Sequence, residues 1–505
     1  MDKQHVQLPI ILHGEESTHQ PTGNYDCDGG DCTCSRPFIA LSSESRPLGR
    51  TQLTQFKRSA GSQGLSLHGD QCFVFGPYHQ PVVLNKSAAG ILAAFEQPEQ
   101  TETLLHICAE RWGAEHVGPV VRAMHARGLL HRIDEQPTLV SKSHTLNVWM
   151  HVTDRCNLRC AYCYRPHLRH DMSLVTGRAA IDAALRSARV HGYTVLKVKY
   201  AGGEPLLCFD TVTKLHEYAV AQGSANGVAI DGGVLSNATL LTSEKAQIIH
   251  ELGLRLMISL DGLEQAHDAQ RAYANGRGSF ADVANGIATA IESALLPDIS
   301  ITVTGKSAAH LADVVAWVIE HDLPFSLNFY RENDLSASFE ALQIKEQSIV
   351  TSMLAAYAVI ERHLPRYNLL GSLVDRANLA GGHLRTCGAG DSLMVFDYQG
   401  RVSKCQMLMQ NPITTVTAHD PLALVRADHA TLFNPSVEEK EGCNCCAWKY
   451  WCTGGCSLVT FRATGRHDIN SPLCAIYKAL FPEAMRLEGL RLLRYGVSLD
   501  FSLYK

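Results

Sequence analysis

The stretch Cys156-Asn-Leu-Arg-Cys160-Ala-Tyr-Cys163 follows an extended apolar run, Thr145–Thr153, that predicts a buried strand. Three thiolates spaced in this way on a tight loop can bind three irons of a cubic iron–sulfur cluster. The fourth iron then has no protein ligand and is free for chemistry. A zinc site is the alternative, but structural zinc normally takes four ligands in paired spacing.

The bulk composition describes an ordinary globular protein with an unusual number of thiols. A chain of 505 residues predicts two to four domains, and the net charge of −5 gives no electrostatic basis for binding nucleic acid or an anionic membrane. No apolar run is long enough for a membrane span, and no secretory signal precedes the 17 cysteines. The sequence therefore predicts a cytoplasmic protein with metal or redox chemistry.

Strands alternate with amphipathic helices through the segment 142–335, which we interpret as the catalytic core. This pattern predicts an α/β fold with a partial (β/α)6 barrel, whose catalytic groups collect at the carboxyl ends of the strands. The predicted strands are Thr145–Thr153, Val195–Tyr200, Val228–Leu235, Leu254–Leu260, Ile299–Thr304 and Phe325–Phe329. The clearest helices between them are Ala179–His191, Thr242–Leu252 and Phe280–Ser293.

The second predicted strand ends in Ala201-Gly202-Gly203-Glu204-Pro205. Two glycines let backbone carbonyls approach an ammonium group closely, and the carboxylate supplies the opposite charge. Such a turn is common in proteins, so its value as a signal comes from its position some 40 residues after the cysteine loop.

Together these motifs resemble the radical S-adenosylmethionine (SAM) family. The resemblance implies that Cys156, Cys160 and Cys163 hold a 4Fe-4S cluster whose open iron binds SAM, and that reduction yields a 5′-deoxyadenosyl radical. It also implies that Gly202, Gly203 and Glu204 bind the methionine amino group. The remaining residues that resemble cofactor-contacting positions are Tyr162, Ser236, Asn237, Ser259, Asp261 and Arg271. A surface cation is the alternative for Arg271, and the sequence assigns no catalytic base.

A second cysteine field occupies 385–490, after a predicted helical connector at 336–384. Its spacing resembles the seven-cysteine SPASM extension. The resemblance implies a second auxiliary iron–sulfur cluster held by Cys443, Cys446, Cys452 and Cys474, and a first held by Cys387, Cys405 and Cys456. No cysteine lies between Cys208 and Cys387, so an open iron in the first auxiliary cluster is expected. Cys445 is unassigned, and a pair of zinc knots is the alternative.

The segment 69–135 combines short strands with three small helices and resembles the PqqD-type winged-helix module, which holds leader peptides. Such a module would bind the leader peptide by pairing it, as an added strand, with an exposed edge of its sheet. A DNA-binding winged helix is the rival, but this segment has few cations for phosphate contacts. Residues 1–65 predict a flexible arm. Cys27, Cys32 and Cys34 lie within this arm. We consider three interpretations: a disordered tail whose cysteines have no role, a metal or thiol site, and a tethered peptide that imitates a Cys-containing substrate.

These parts predict a radical SAM enzyme that oxidatively modifies a ribosomally made precursor peptide, forming a thioether or a carbon–carbon crosslink. The expected partners are that peptide and an electron donor such as flavodoxin or ferredoxin. One alternative is a formylglycine-generating sulfatase maturase; that group typically carries an Asp where this chain has Gln406. The other is a non-catalytic iron–sulfur or zinc protein that only binds a peptide.

Overall fold

The structure of the protein is a computed structural model that describes residues 8–14, 55–97, 100–136, 139, 144–336, 340–499 and 501. Cys27, Cys32 and Cys34 lie outside the described residues, so the interpretations of that segment remain predictions. None of the helices in the described ranges combines the length and hydropathy needed to cross a bilayer.

The core is a curved parallel sheet in which six strands lie side by side in chain order. Their bounds are Thr145–Thr153, Val195–Gly202, Ala229–Ser236, Arg255–Ser259, Asp298–Val303 and Phe325–Phe329. One main helix lies between each pair of successive strands, and these helices are Leu174–His191, Phe209–Asn226, Ser243–Glu251, Phe280–Glu292 and Leu311–Glu320. The parallel βα repeat predicted from the sequence is therefore confirmed.

Side-chain alternation along the first core strand assigns its two faces. Leu146, Val148, Met150 and Val152 are fully buried in the main apolar core with the helices. The intervening residues face the barrel interior, where Trp149 packs on a small separate cluster. The first core strand therefore packs against the helices with one face and lines the barrel interior with the other.

A strand from the cysteine-rich segment extends this sheet beyond its predicted limit. Leu393–Phe396 pairs in parallel with the first core strand, and Arg401–Ser403 and Thr414–Thr415 continue the sheet to nine strands. The prediction that the core ends near residue 335 missed this addition. Because Leu393–Phe396 pairs with the first core strand, the chain between Cys387 and Cys405 is held directly against the barrel.

The connector at 336–384 is less helical than predicted. In its described residues one α-helix, Glu346–Arg362, packs on the barrel and on the final helix, and a short 3-10 turn precedes it. The remainder, from 363, consists of turns and irregular chain. The C-terminal segment carries the helices Pro421–Ala427, Lys449–Cys452, Ser457–Thr464 and Cys474–Tyr495.

The N-terminal module contains the predicted hairpin, Cys72–Gly76 with His79–Leu84. Asn85 caps the next helix as predicted, because its side chain accepts a hydrogen bond from the Ala88 backbone N–H. The helices are Lys86–Ala93, Thr101–Trp112 and Ala114–Ala126, and the strand Leu130–Arg132 closes the module.

Two boundary predictions for this module were wrong. Residues 1–65 are not all a flexible arm, since their described part forms the strands Ile11–His13, Phe56–Arg58 and Gln63–Ser66. The module also does not stop at 135, because Val497–Ser498 joins its sheet next to Ile11–His13. Short strands with so few apolar residues carry too weak a periodic pattern to be recognised from sequence.

Candidate active site

The cysteine loop leaves the first core strand and is held from both sides. Leu158–Cys160 pairs antiparallel with Arg271–Tyr273, so Arg271 lies opposite Cys160. The backbone N–H groups of Leu158 and Arg165 each lie 3.4 Å from a thiol, that of Cys156 and that of Cys163 respectively. Burial raises the pKa of both thiols to about 12, which favours the neutral thiol, and binding of a metal would favour the thiolate instead.

The Gly-Gly-Glu turn is pressed against the backbone at the start of this loop. The Gly203 N–H donates to the Thr153 carbonyl at 2.8 Å, and the Glu204 N–H donates to the Arg155 carbonyl at 2.8 Å. A Cβ at Gly203 would lie 2.1 Å from the Arg155 oxygen, and one at Gly202 would lie 2.3 Å from the Thr153 oxygen. Both positions therefore require glycine, which brings the second strand end against the cysteine loop.

Glu204 is buried and oriented by three donors. Its Oε1 accepts from the Leu206 N–H at 2.9 Å and from the Ser236 hydroxyl at 2.8 Å, and its Oε2 accepts from the Asn237 N–H at 2.7 Å. Burial raises the pKa of Glu204, and the three hydrogen bonds lower it by a smaller amount. Such a carboxylate favours a nearby cation, as the binding of an ammonium group would provide.

Asn237 joins Glu204 to the cysteine loop. Its side-chain amide donates to Asn157 at 3.0 Å and lies 3.9 Å from the Cys156 sulfur. The predicted residues Ser236 and Asn237 thus orient the carboxylate and the first cysteine in this structure.

Tyr162, Asp261 and Arg271 form a buried polar cluster behind the cysteines. The Tyr162 hydroxyl donates to Asp261 at 2.5 Å and accepts from the Arg271 guanidinium, which lies 3.6 Å from the same carboxylate. Burial alone would lower the pKa of Arg271, but Cys160, Tyr162 and Asp261 raise it well above its usual value. Arg271 is therefore an internal cation and not a surface one.

Ser259 ends the fourth core strand, half-buried and in register with Ser300 of the next strand. By strand alternation it shares the interior-facing side with Arg255 and Met257, whereas Leu256 and Ile258 are buried in the outer core.

Sequence reasoning missed His151, the interior-facing residue two positions before the end of the first strand. It is fully buried between the rings of Trp149 and Tyr164, and within the described residues neither ring nitrogen has a hydrogen-bond partner. Burial lowers the pKa of His151 well below its usual value, so the ring is neutral. His151 could have been found from the sequence, because alternation along the strand that leads into the cysteine loop places this residue on the interior-facing side.

The C-terminal cysteines divide between two small cavities. Cys443, Cys446, Cys452 and Cys474 line one of them, and Cys387, Cys405 and Cys456 line the other. These are the two groups expected from the sequence resemblance. Cys445 is exposed and is not among the residues lining either cavity.

The three-cysteine cavity is connected to the barrel through two short segments. Arg331, which lines it, donates at 2.8 Å to both oxygens of Asp375, and nearby Asn333 donates to the Tyr162 carbonyl at 3.1 Å. On the other side Met407 lines the cavity, while Met409 accepts from Arg165 at 3.4 Å. The segments that line this cavity therefore also contact the loop of Cys156 to Cys163.

Lys440 lies within electrostatic reach of both cavities. It is 1% exposed and donates to the Thr453 carbonyl at 2.9 Å. Burial lowers the pKa of Lys440, while cysteines of the two cavities, including Cys443 and Cys387, raise it. No motif in the sequence singles out this lysine.

Known proteins match this chain most clearly in the core. Residues 150–318 match the family model of the Radical SAM superfamily. An uncharacterized protein of Methanocaldococcus jannaschii is 32% identical over 204 residues, which cover 40% of this chain and 64% of that protein. A serine-type anaerobic sulfatase-maturating enzyme of Klebsiella aerogenes is 22% identical over 342 residues, 65% of this chain and 82% of that enzyme.

The fold agrees with these matches. The solved structure of native anSMEcpe with bound AdoMet and Cp18Cys peptide aligns with a TM-score of 0.56 at 18% identity, covering 68% of this chain and 99% of that one. This chain spans less than two thirds of the length of the Methanocaldococcus relative. The chain thus contains a radical SAM domain, and it is an enzyme. Domains of this superfamily use a 4Fe-4S cluster and SAM, and the three half-buried thiols near an oriented carboxylate fit both.

Proposed function

We propose that this enzyme oxidatively modifies a peptide, using the radical SAM domain together with two auxiliary iron–sulfur clusters. Cys156, Cys160 and Cys163 would hold the SAM-binding cluster, with Gly202, Gly203 and Glu204 receiving the methionine amino group. The bound cofactors supply a 5′-deoxyadenosyl radical that removes a hydrogen atom from the substrate. The chain's own task is to position the peptide, exclude water and hold the auxiliary clusters that would take up the electron left behind.

The separation of seven cysteines into two cavities beside the barrel is the observation that supports this proposal most strongly. Within the described residues, no three His, Cys, Asp or Glu side chains are arranged to hold a single metal ion. Thiols set around a cavity rather than around one point fit a polynuclear cluster better than zinc. We assign Cys443, Cys446, Cys452 and Cys474 to one auxiliary cluster and Cys387, Cys405 and Cys456 to the other.

A thioether is the favoured product. Three cysteines line the cavity of Cys387, and as the ligands of a cluster they would leave one iron where a substrate thiolate can bind. Forming a sulfur–carbon bond removes a hydrogen atom from carbon and a proton from sulfur and releases one electron. An auxiliary cluster next to the barrel would accept that electron and pass it to a flavodoxin or ferredoxin.

The N-terminal module, with its exposed helices and small sheet, is the part that we assign to peptide docking. We place the enzyme in the cytoplasm, since all cysteines among the described residues are free thiols. A formylglycine-forming reaction is the second candidate, because the Klebsiella enzyme aligns over 82% of its length. Gln406, buried beside Cys405, occupies the position where that group was expected to carry an Asp.

The test is anaerobic reconstitution with iron and sulfide, followed by SAM, dithionite and a candidate Cys-containing peptide. We expect 5′-deoxyadenosine together with a loss of about 2 Da per crosslink in the peptide. Formylglycine on Cys would instead replace the thiol with an aldehyde and shift the mass by about −18 Da, by the same atom balance. Intact clusters without 5′-deoxyadenosine would contradict both candidates.

A further inference from the structure

Tyr477 carries a buried hydroxyl that has no hydrogen-bond partner among the described residues. The side chain is 1% exposed, so bulk solvent does not supply a partner either. A buried hydroxyl without a partner is destabilising and therefore rare in folded proteins. We expect that a group bound by the protein completes this site.

The packing of the Tyr477 ring fixes the direction of this hydroxyl. The ring lies nearly parallel to that of Phe329, at 6.2 Å between centroids and 9° between planes, and to that of Phe481, at 6.0 Å and 5°. Phe329 ends the sixth core strand, and Phe481 lies one turn further along the helix Cys474–Tyr495. Because the oxygen of a tyrosine lies in the plane of its ring, these contacts give the hydroxyl a defined position.

One edge of the ring packs against the loop between the two cysteine cavities. This loop connects Cys452, which lines the four-cysteine cavity, to Cys456, which lines the three-cysteine cavity. A Cβ at Gly455, the residue before Cys456, would lie 3.0 Å from Cε2 of Tyr477. Because Cε2 is bonded to the ring carbon that carries the oxygen, the hydroxyl lies beside the same loop.

Of the two cavities, the four-cysteine cavity is the one that Tyr477 lines. Tyr477 follows Cys474 by three residues, so both side chains lie on the same face of their helix. Burial raises the pKa of Tyr477 well above its usual value, and Asp375 and Cys452 raise it further and more strongly than Cys456 does. These observations place the hydroxyl on the side of the four-cysteine cavity.

Asp375 acts on Tyr477 through its charge but is not its hydrogen-bond partner. Each carboxylate oxygen of Asp375 accepts from Arg331 at 2.8 Å, and one of them also accepts from the Phe329 N–H at 3.1 Å. The acceptors that the four-cysteine cavity adds are sulfurs, namely thiolates and, with a cluster bound, inorganic sulfide. Hydrogen bonds to such sulfurs are among the features that set the potential of a cluster.

We propose that the Tyr477 hydroxyl donates a hydrogen bond to a sulfur of the second auxiliary cluster, held by the four-cysteine cavity, and thereby raises the midpoint potential of that cluster. The inference rests on the proposed function, which assigns a cluster to these cysteines. Reduction adds negative charge to the sulfurs, so a donor bonded to one of them stabilises the reduced form more than the oxidised form. Tyr477 is a positioning residue in this sense, since it acts on the reaction through the cluster.

The test uses the full chain, reconstituted anaerobically with iron and sulfide. Tyr477→Phe removes the hydroxyl and keeps the stacked ring, so its iron content should equal that of the wild type. The equilibrium constant for reduction of the second auxiliary cluster should fall at least about threefold, where a tenfold fall is a shift of about 59 mV to more negative potential for one electron. Potentiometric titration monitored by EPR measures the shift, and loss of the signal in the double variant Cys446→Ala and Cys474→Ala identifies this cluster.

A matched control removes a buried hydroxyl that already has a partner. Tyr357 is 2% exposed and donates to the Leu373 carbonyl at 2.9 Å, and it is not among the residues lining either cavity. Tyr357→Phe should therefore leave both auxiliary potentials unchanged. Equal shifts in the two variants would mean that the potential responds to any loss of a buried hydroxyl, which would overturn the role of Tyr477.

A second variant keeps the hydroxyl and tests the same contact with the opposite sign. Insertion of 3-fluorotyrosine at position 477 places an electron-withdrawing atom beside the hydroxyl and makes it a stronger donor. The potential of the second auxiliary cluster should then become more positive. Electron–nuclear double resonance should also detect the ¹⁹F nucleus with a larger coupling in the signal of this cluster than in that of the first auxiliary cluster.

The remaining outcomes separate this inference from the proposed function. Unchanged potentials in both Tyr477 variants, with full iron content, would overturn the inference and leave the proposed function standing. A shift confined to the first auxiliary cluster, or a larger ¹⁹F coupling there, would overturn the assignment to the four-cysteine cavity. If Tyr477→Phe loses the cluster, a wild-type potential in the fluorotyrosine variant would overturn the inference, whereas wild-type protein that takes up no auxiliary iron would contradict the proposed function itself.

Discussion

At the scale of single residues, Glu204 links the cofactor site to the fold. Three donors converge on its carboxylate, so Glu204→Gln turns an amide N–H₂ toward groups that also donate. The variant also lacks the charge that attracts an ammonium group. We expect at least about tenfold weaker SAM binding, equivalent to about 1.4 kcal/mol, measured by equilibrium dialysis on protein with full iron content. Glu244→Gln, at an exposed helix position, is the matched control, and equal affinity for wild type and Glu204→Gln would contradict the role.

Lys440 provides a second prediction at this scale. A buried cation near both cysteine cavities stabilises the reduced, more negative form of a cluster bound there. Lys440→Met should therefore shift the midpoint potentials of the auxiliary clusters to more negative values. For a one-electron couple, a shift of about 59 mV corresponds to about 1.4 kcal/mol. Potentiometric titration monitored by EPR measures the shift. Lys245→Met serves as the control, and a shift to more positive potential would be inconsistent with the electrostatic effect.

At the scale of elements, the contact between the first two strand ends depends on the absence of a side chain. Gly203→Ala places a Cβ 2.1 Å from a backbone oxygen, whereas the nearest atom to a Cβ at Gly233, on the next strand, lies 3.7 Å away. We expect Gly203→Ala to lower the free energy of unfolding by about 1–3 kcal/mol and to abolish SAM binding. Gly233→Ala should leave both unchanged. Denaturant titration and dialysis check this, and equal stability of the two variants would rule out the close contact as the reason for glycine.

The segment that carries Arg271 is stabilised by a neutral histidine. His267 accepts from the Asp261 N–H at 3.3 Å and contacts the Ser279 hydroxyl at 3.1 Å, which in turn donates to the Arg271 carbonyl. Burial, with a smaller effect of Arg271, lowers the pKa of His267 from 6.5 to about 3. Because the folded pKa lies below the unfolded one, this stabilisation is complete above about pH 6.5 and decreases as pH falls toward 3.

The consequence is a specific loss of stability in mild acid. Between pH 7.5 and 5.5 the wild type should lose about 1.4 kcal/mol more unfolding free energy than His267→Gln, following proton linkage for one group. Denaturant titrations of the protein without added metal at the two pH values measure the difference. An identical pH response in the two proteins would mean that His267 is not held neutral.

Sequence patterns predicted the elements that obey a strong period and missed those that do not. The six core strands came within two residues of their observed ends, since each combines apolar alternation with a turn signal. Ile11–His13 and Leu393–Phe396 were missed because three or four residues carry almost no period, and their partners lie far away in the chain. The resemblance to the SPASM extension implied the same two groups of cysteines that line the two cavities. No motif predicts the buried Lys440 near both of them or the buried His151.

At the scale of the whole molecule, the three cysteine groups lie in one connected structure. The sheet joins the barrel to the strand Leu393–Phe396. The segments of Arg331 and Met407 connect the three-cysteine cavity to the barrel. Trp448 connects the cavity lined by Cys443, Cys446, Cys452 and Cys474 to the N-terminal module. In the proposed reaction, these contacts place the three-cysteine cavity where a cluster could receive the electron that leaves the substrate. The N-terminal sheet edge lies at the far end of the same connected structure.

This arrangement makes a prediction about metal content. Wild-type protein reconstituted anaerobically should bind about 12 irons, for three clusters of four. The double variant Cys446→Ala and Cys474→Ala should lose about four of them and the EPR signal of one auxiliary cluster, while the signal of the SAM-binding cluster remains. Cys445→Ala, which alters an exposed neighbour in the same loop, should keep all the iron. Zinc in place of iron in this region, or equal iron content in the double variant and the wild type, would mean that the four-cysteine cavity does not hold a cluster and that the proposed electron route ends before it.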